Sequence, residues 1–345
     1  MEKFAGLDLQ TYWFLILGGL FSAYAILDGF DLGAGALHLF LKKEESRRIA
    51  MNAVGPVFDG NEVWLVMGGG ALFAGFPVAY ATALSAMYIP FIFLFVGLIW
   101  RTVAIEFRNK ESMPWWRKTW DIVYTFSSIS IAFTLGLILG NVVYGMSFNS
   151  EGDFTGNFYD LFNPYALITG LTAVALFMMH GAVYLSLKTE GRLFTKLVIM
   201  IRRFVLFFIL TFIMQAIATI VFIPYIAERF KKYPWIFIFP LITVLSIANI
   251  PRLVWKKKYG LAFFFSSVTI ASMFSLVALA LYPNLLICSV ASMHNINIYN
   301  AASSTTTLKT LLLIACIATP LVLTYTVFVF FTFKGKAKLD EHPGD

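Results

Sequence analysis

The sequence predicts an all-α, polytopic transmembrane helix bundle of about nine helices, and three observations lead there. Of the 345 residues, 59% are hydrophobic and only 13% charged, with a mean hydropathy of +0.78, which is not how a soluble globular domain distributes its residues. Apolar runs of roughly 20 residues, each long enough to cross a ~30 Å hydrocarbon core, recur from Thr11 to Phe333. The cations collect between those runs. Two four-helix bundles plus one peripheral helix is the expected arrangement; helices one and five would both start outside, so a four-plus-four duplication would be parallel, although no sequence repeat is evident. The chain, 1–345, reads as a single integral membrane domain.

The runs fall near 11–41, 50–75, 77–100, 119–146, 163–187, 202–226, 235–252, 260–283 and 309–333, bounded by charged or Pro/Gly/Asn-rich segments. The first is longer than a signal-peptide core and has only Lys3 near its start, so it is expected to stay as helix one. In the second, Val63 to Phe76 covers only about 21 Å of helix, so that helix has to extend back through Pro56 and Asp59 to span. Of the 26 Lys and Arg residues, all but Lys3, Arg229, Lys231, Lys232 and Lys309 lie in the loops at 42–48, 101–118, 188–203 and 252–258 or in the tail at 334–338. By the positive-inside tendency those segments are cytoplasmic. The N-terminus is then outside, the C-terminus inside, and the acidic segment 147–162 outside. Trp115, Trp116 and Trp120 at one boundary and Trp13 and Trp235 at the other fit interfacial aromatic belts facing membrane lipid. The net charge of +7 therefore reports topology and not a nucleic-acid partner. Cys288 and Cys316 belong to no CxxC pair or Cys/His cluster.

Most of the chemistry lies in Leu27-Asp28-Gly29-Phe30-Asp31-Leu32-Gly33, late in helix one, and Gly55-Pro56-Val57-Phe58-Asp59-Gly60-Asn61-Glu62-Val63-Trp64, early in helix two. Asp28 and Asp31 are three apart, as are Asp59 and Glu62, so each pair shares a helix face. Asp28 lies thirteen positions from Leu41, about 20 Å along the axis from the cytoplasmic end. A charge at that depth has to be paired, hydrated or neutralised, which makes intramembrane carboxyls functional candidates. A buried carboxyl that holds its proton near neutral pH can relay protons. Gly29, Gly33, Gly35, Gly55 and Gly60, with Pro56, allow close helix approach or local opening of the backbone to water. The same carboxyls equally suit a packing role, tying helices one and two together or pairing with Arg101 or Arg108.

His38 lies seven positions past Asp31, roughly on its face, where it could hand over protons; a solvated histidine at a loop end is the competing reading. His180 is the other histidine within an apolar run, and a lone histidine there raises haem or metal ligation. No second ligand of matching depth is evident, which favours a hydrogen-bonded core histidine, so no haem or metal ligand is expected. His294 lies in an outer loop and His342 in the tail. Glu106, near Arg101 and Arg108, reads as an interfacial charge. Gly68-Gly69-Gly70 is followed by no lysine and lies within a helix, which excludes a phosphate loop.

The segments LDGFDLG at 27–33, GPVFDGNEVWL at 55–65, GGGALFAGFP at 68–77 and GNFYDLFNPYALITG at 156–170 resemble subunit II of the cytochrome bd family of quinol oxidases. The resemblance covers most of the chain and agrees with nine helices. Two departures are Phe58, where a tryptophan is common, and His180, where a glutamine is often found; the region of helices six and seven is also short. The resemblance implies a bacterial or archaeal cytoplasmic-membrane complex that oxidises quinol and reduces dioxygen to water without pumping, drawing its protons from the cytoplasm. It further implies that haem b, haem d and the quinol site belong to the partner subunit I, and that this chain binds none alone. A structural quinone and a small single-helix subunit occur in parts of the family. Asp28, Asp31, Asp59, Glu62 and His38 would then form a proton path toward subunit I. A stand-alone proton-coupled transporter and a purely structural partner subunit are the competing functions.

Overall fold

The computed structural model describes residues 3, 4, 6–149 and 151–337, with backbone alone at 3, 4, 227 and 292. Lys338 and His342, counted above in the tail, lie outside the described residues. Twelve α-helices follow in order: α1 (Leu9–Leu37), α2 (Glu44–Val54), α3 (Phe58–Gly75), α4 (Pro77–Ala86), α5 (Tyr88–Phe107), α6 (Pro114–Tyr144), α7 (Pro164–Lys188), α8 (Gly191–Phe222), α9 (Pro224–Lys232), α10 (Ile238–Trp255), α11 (Tyr259–Leu281) and α12 (Thr305–Thr332). Among the described residues, eight are long and apolar enough to cross a membrane, and the bent pair α3–α4 makes a ninth.

Their starts follow local chemistry. Asp8 caps α1 by accepting from the Thr11 amide at 2.7 Å. Asn163 caps α7 by accepting from the Ala166 amide at 2.8 Å, and Pro164 then opens the first turn, where its missing N–H is no loss. Ser304 caps α12 through the Thr307 amide.

Two expected runs are divided. The one at 50–75 breaks at Gly55-Pro56-Val57, because Pro56 has no amide to donate and disfavours helix in the residue before it. Its first part, α2, is amphipathic, with Glu44 and Glu45 in its first turn. Its second part, α3, has 18 residues, about 27 Å of helix, so the span does not need to reach back through Pro56. The run at 77–100 breaks at Met87 into α4 and α5, and α4 turns away from α3 by 117° at Phe76 and Pro77.

The chain alternates between two ends. At one, Tyr299 donates to Asp8 at 3.1 Å, the Trp13 indole to the Leu308 carbonyl, the Ser303 amide to Gly75 and Tyr225 to Val143. At the other, Lys196 donates to the Phe40 carbonyl at 2.5 Å and the Ala337 amide to Lys188 at 2.8 Å. There too, Arg47, Arg108 and His38 converge on Asp121. We call this second end the basic end.

At the centre, α7 packs on α1, α6, α8 and α11, and α1 also contacts α3 and α6; α10 and α11 pair beside α8. Small residues permit this. A Cβ on Gly33 would stand 1.9 Å from the Phe177 carbonyl oxygen, so only glycine lets α1 approach α7 this closely. By contrast, α12 touches α3 and α1 alone among the spans it meets appreciably, and none of its most apolar window is buried.

Candidate functional site

The carboxyls of the first motif lie deep in the chain. Asp28 and Asp31 are both buried on α1, three residues apart on the face turned toward α3 and α5. Arg101, fully buried on α5, places Nη1 2.8 Å from Asp28 Oδ1 and contacts Glu62 of α3 through Nη2. Asp31 Oδ2 accepts from Asn61 Nδ2 at 2.7 Å, and the same amide reaches the Leu27 carbonyl at 3.1 Å. One guanidinium thus serves two carboxyls on different helices, and an asparagine holds the third.

The second motif is split. On α3 the buried positions are Phe58, Asn61, Trp64 and Gly68, at helical spacing, and Gly75 at its end. Asn61 therefore faces α1, Glu62 is half-buried at the edge, and Asp59 points away and is exposed. Asp28, Asp31 and Glu62 are brought together; Asp59 is not. Gly29 and Gly33 prove to be packing glycines, since a Cβ on either would strike Phe177. Gly55 and Pro56 form the break before α3, and Gly60 lies against Tyr325 of α12, where a Cβ would find ordinary contact at 3.4 Å.

His38 is not a solvated loop-end residue. It is wholly buried, because the short 3-10 turn His38–Phe40 continues α1 under the basic end and turns the ring toward α6. Its Nε2 stands 2.5 Å from Asp121 Oδ1, and its ring packs edge-on against Tyr124, centroids 5.1 Å apart. Asp121 also accepts from Arg108 Nε at 2.5 Å and Arg47 Nη1 at 2.8 Å, and Arg108 holds Glu44 at 3.0 Å. Sequence reading did not single out Asn61, Asp121 or Tyr124. Asp121 carried a signal, as an acid just inside an apolar helix near the Arg101–Arg108 loop, whereas Asn61 and Tyr124 look like ordinary helix residues.

Buried side-chain nitrogens and oxygens without a hydrogen-bond partner concentrate in this region. Among the described residues they are Tyr24 Oη, both Asp28 oxygens, Asp31 Oδ1, His38 Nδ1, Trp64 Nε1, Arg101 Nε and Nη1, Tyr124 Oη and Thr125 Oγ1; only Trp120 Nε1 and His294 Nδ1 stand apart. Asp28 and Arg101 are in charge contact, but not aligned as a hydrogen bond. Tyr24 interacts electrostatically with Asp28, Arg101 and Glu62, and Tyr124 with Asp31, Arg101 and Asp28. A polar column therefore runs along α1 from His38 to Tyr24, fourteen residues and about 21 Å of helix.

The two histidines inside the apolar runs are held by groups of the chain itself. His180 is buried with Nδ1 2.7 Å from Ser266 Oγ and Nε2 3.0 Å from the Ile26 carbonyl oxygen, so both nitrogens are engaged, and its ring stacks on Phe263. His38 spends Nε2 on Asp121. No group of three His, Cys, Asp or Glu side chains among the described residues could hold a metal ion.

A multi-span helical membrane protein with an acid–base column inside its bundle is the class that fold and site define. Residues 9–333 match the family model "Cytochrome bd terminal oxidase subunit II", and the chain belongs to that family. It is 31% identical to cytochrome bd ubiquinol oxidase subunit 2 of Bacillus subtilis (strain 168), over 97% of this chain and 98% of that one. It is 29% identical to cytochrome bd-I ubiquinol oxidase subunit 2 of Escherichia coli (strain K12), over 95% of each. These relatives are subunits of an oxidoreductase complex. Among solved structures, the bd oxidase of Geobacillus thermodenitrificans has the same fold, with a TM-score of 0.79 over 95% of this chain and 99% of that chain at 18% identity.

Proposed function

We propose that this chain is the haem-free subunit II of a cytochrome bd-type quinol oxidase and that its polar column carries protons from the cytoplasm toward the oxygen-reducing site of the partner subunit I. The observation that carries the proposal is the concentration of buried polar side chains between His38 and Tyr24, of which Asp31 Oδ1, His38 Nδ1, Tyr124 Oη and Thr125 Oγ1 have no hydrogen-bond partner. A buried polar atom left bare costs about 1–3 kcal/mol, so a run of them is a seat for ordered water, which such atoms hold in protein interiors. Water between Asp31 and Asp28 gives each carboxyl a proton donor and acceptor. The exposed Asp59, with Glu62 at the edge, then serves as the handover point at the surface facing subunit I. Haem b, haem d and the quinol site are assigned to subunit I. The basic end is proposed to face the cytoplasm, with the N-terminus and 147–162 outside. A Tyr159→Cys variant, at a position 83% exposed, is expected to react with an impermeant thiol reagent added from outside; labelling only from the cytoplasm reverses the orientation.

One observation favours a second reading. The contact of Asp28 and Glu62 with Arg101 ties α1, α3 and α5 together, as an anchor would. Family membership gives no support to a stand-alone transporter. Asp28→Asn and Asp59→Asn, made in the assembled complex, separate relay from anchor: each keeps hydrogen-bonding shape while removing the exchangeable proton. Normal assembly and haem content with reduced quinol oxidase turnover supports the relay. Full turnover from about pH 6 to about pH 9, where proton supply differs most, leaves the anchor.

A further inference from the structure

We infer that Asp121 and Tyr124 fix His38 as a proton-loading group at the inner mouth of the column, with Nδ1 as the exchanging atom. The inference rests on the proton path proposed above and adds to it two residues, a tautomer and a direction.

The geometry assigns the roles. Asp121 Oδ1 lies 2.5 Å from His38 Nε2, and a carboxylate only accepts, so Nε2 carries the proton in the neutral ring. Nδ1 then has a free lone pair. That atom is buried and has no hydrogen-bond partner, and it sits where the column begins. The Tyr124 ring, edge-on at 81°, stops the imidazole from turning, and its own unpartnered hydroxyl lies in electrostatic contact with Asp31 and Asp28. Tyr124 therefore packs directly on His38 and lies within the electrostatic reach of the carboxyls. Gly35 lets α1 close on this part of α6, since a Cβ there would stand 2.0 Å from Ser128 Oγ and 3.2 Å from the Tyr124 ring.

Around His38 the acids Asp121 and Glu44 meet the cations Arg47, Arg108 and Arg117, the last 3.9 Å from Glu44, and with Tyr124 these are the charged and titratable groups on α2, α5 and α6 at this end of the column. Lys196 of α8 is tied nearby to the Phe40 carbonyl. In the loading step a hydronium reaching the mouth gives its proton to Nδ1 and leaves water. Asp121 stabilises the resulting imidazolium, and Nδ1–H passes the proton to the next water inward, restoring the neutral ring. No electrons move. Asp121 is a positioning residue here, acting through His38.

The test uses the whole oxidase with its partner subunit. His38→Gln keeps an amide that can donate to Asp121 and removes the group that takes up a proton. It is expected to assemble with full haem content and to lose turnover, by about tenfold at the alkaline end of the profile and less at the acid end, where hydronium is abundant. His38→Ala should lose as much and regain turnover when free imidazole is added. Asp121→Asn should show the same alkaline loss as His38→Gln. Parent turnover in His38→Gln across the profile overturns the inference, and so does loss of haem from both His38 variants, which assigns the residue to packing. Asp28→Asn in the same complex tells the two levels apart. A slow Asp28→Asn beside a normal His38→Gln rejects this inference alone, and two normal variants reject the column as well.

Discussion

Two buried acids in this molecule, Asp121 at the basic end and Asp28 deeper in the bundle, meet opposite fates. Asp121 accepts from three donors on three elements, His38, Arg47 and Arg108, all at hydrogen-bonding distance. Asp28 has one guanidinium in charge contact, shared with Glu62, and neither of its oxygens has an aligned donor. Both positions forbid an isolated charge. The difference teaches that the first acid is fixed from three sides, whereas the second depends on a single cation that it shares with Glu62.

The contrast predicts graded losses. The largest is expected for Arg101→Met, which strips the shared cation from Asp28 and Glu62. Breaking a buried pair from one side costs about 3–5 kcal/mol, so the complex should lose haem or melt far earlier in detergent, as followed by the haem spectrum on heating. Unchanged thermal stability would mean that the deep acids are already neutral or hydrated in the parent.

Asp121→Ala comes next, at about 3 kcal/mol, because Arg108 keeps Glu44 as a partner and Arg47 is partly exposed. Its melting temperature should fall, and restoring the length with Asp121→Asn should recover part of the loss. An Asp121→Ala complex as stable as the parent would remove the distinction between the two acids.

The smallest structural effect is expected for Asp59→Asn, whose carboxyl is exposed on this chain. Stability should change by no more than about 0.5 kcal/mol, while turnover falls if Asp59 is the handover point. A large stability loss would instead make Asp59 a structural contact with the partner subunit.

Much of this was legible before any coordinates. Membrane-spanning helices follow from runs of apolar residues, because hydrocarbon leaves the backbone no other partner than itself. The gathering of cations at one end was legible from where the lysines and arginines stand between the runs. The two acidic motifs were legible too, since an ionisable group inside an apolar run is conspicuous by composition alone. The break at Gly55-Pro56 was visible, but its consequence was read the wrong way round: proline ended a surface helix there and did not extend a span.

Composition, period and local chemistry thus determined by themselves that the chain is a many-span helical membrane protein and which stretches carry charge into its apolar runs. What the tertiary structure alone decided is which of those charges meet. Asp59 and Asn61 are two residues apart, about 200° around a helix, and only the direction in which α3 faces α1 turns Asn61 inward and leaves Asp59 outside. His38 and Asp121 are 83 positions apart, and nothing local to either foretells the other. Pairing of that kind depends on how α1, α5 and α6 lean on one another, which is set by glycines such as Gly33 and Gly35 that let backbones close in. A residue's type is written locally; its partner is chosen by packing.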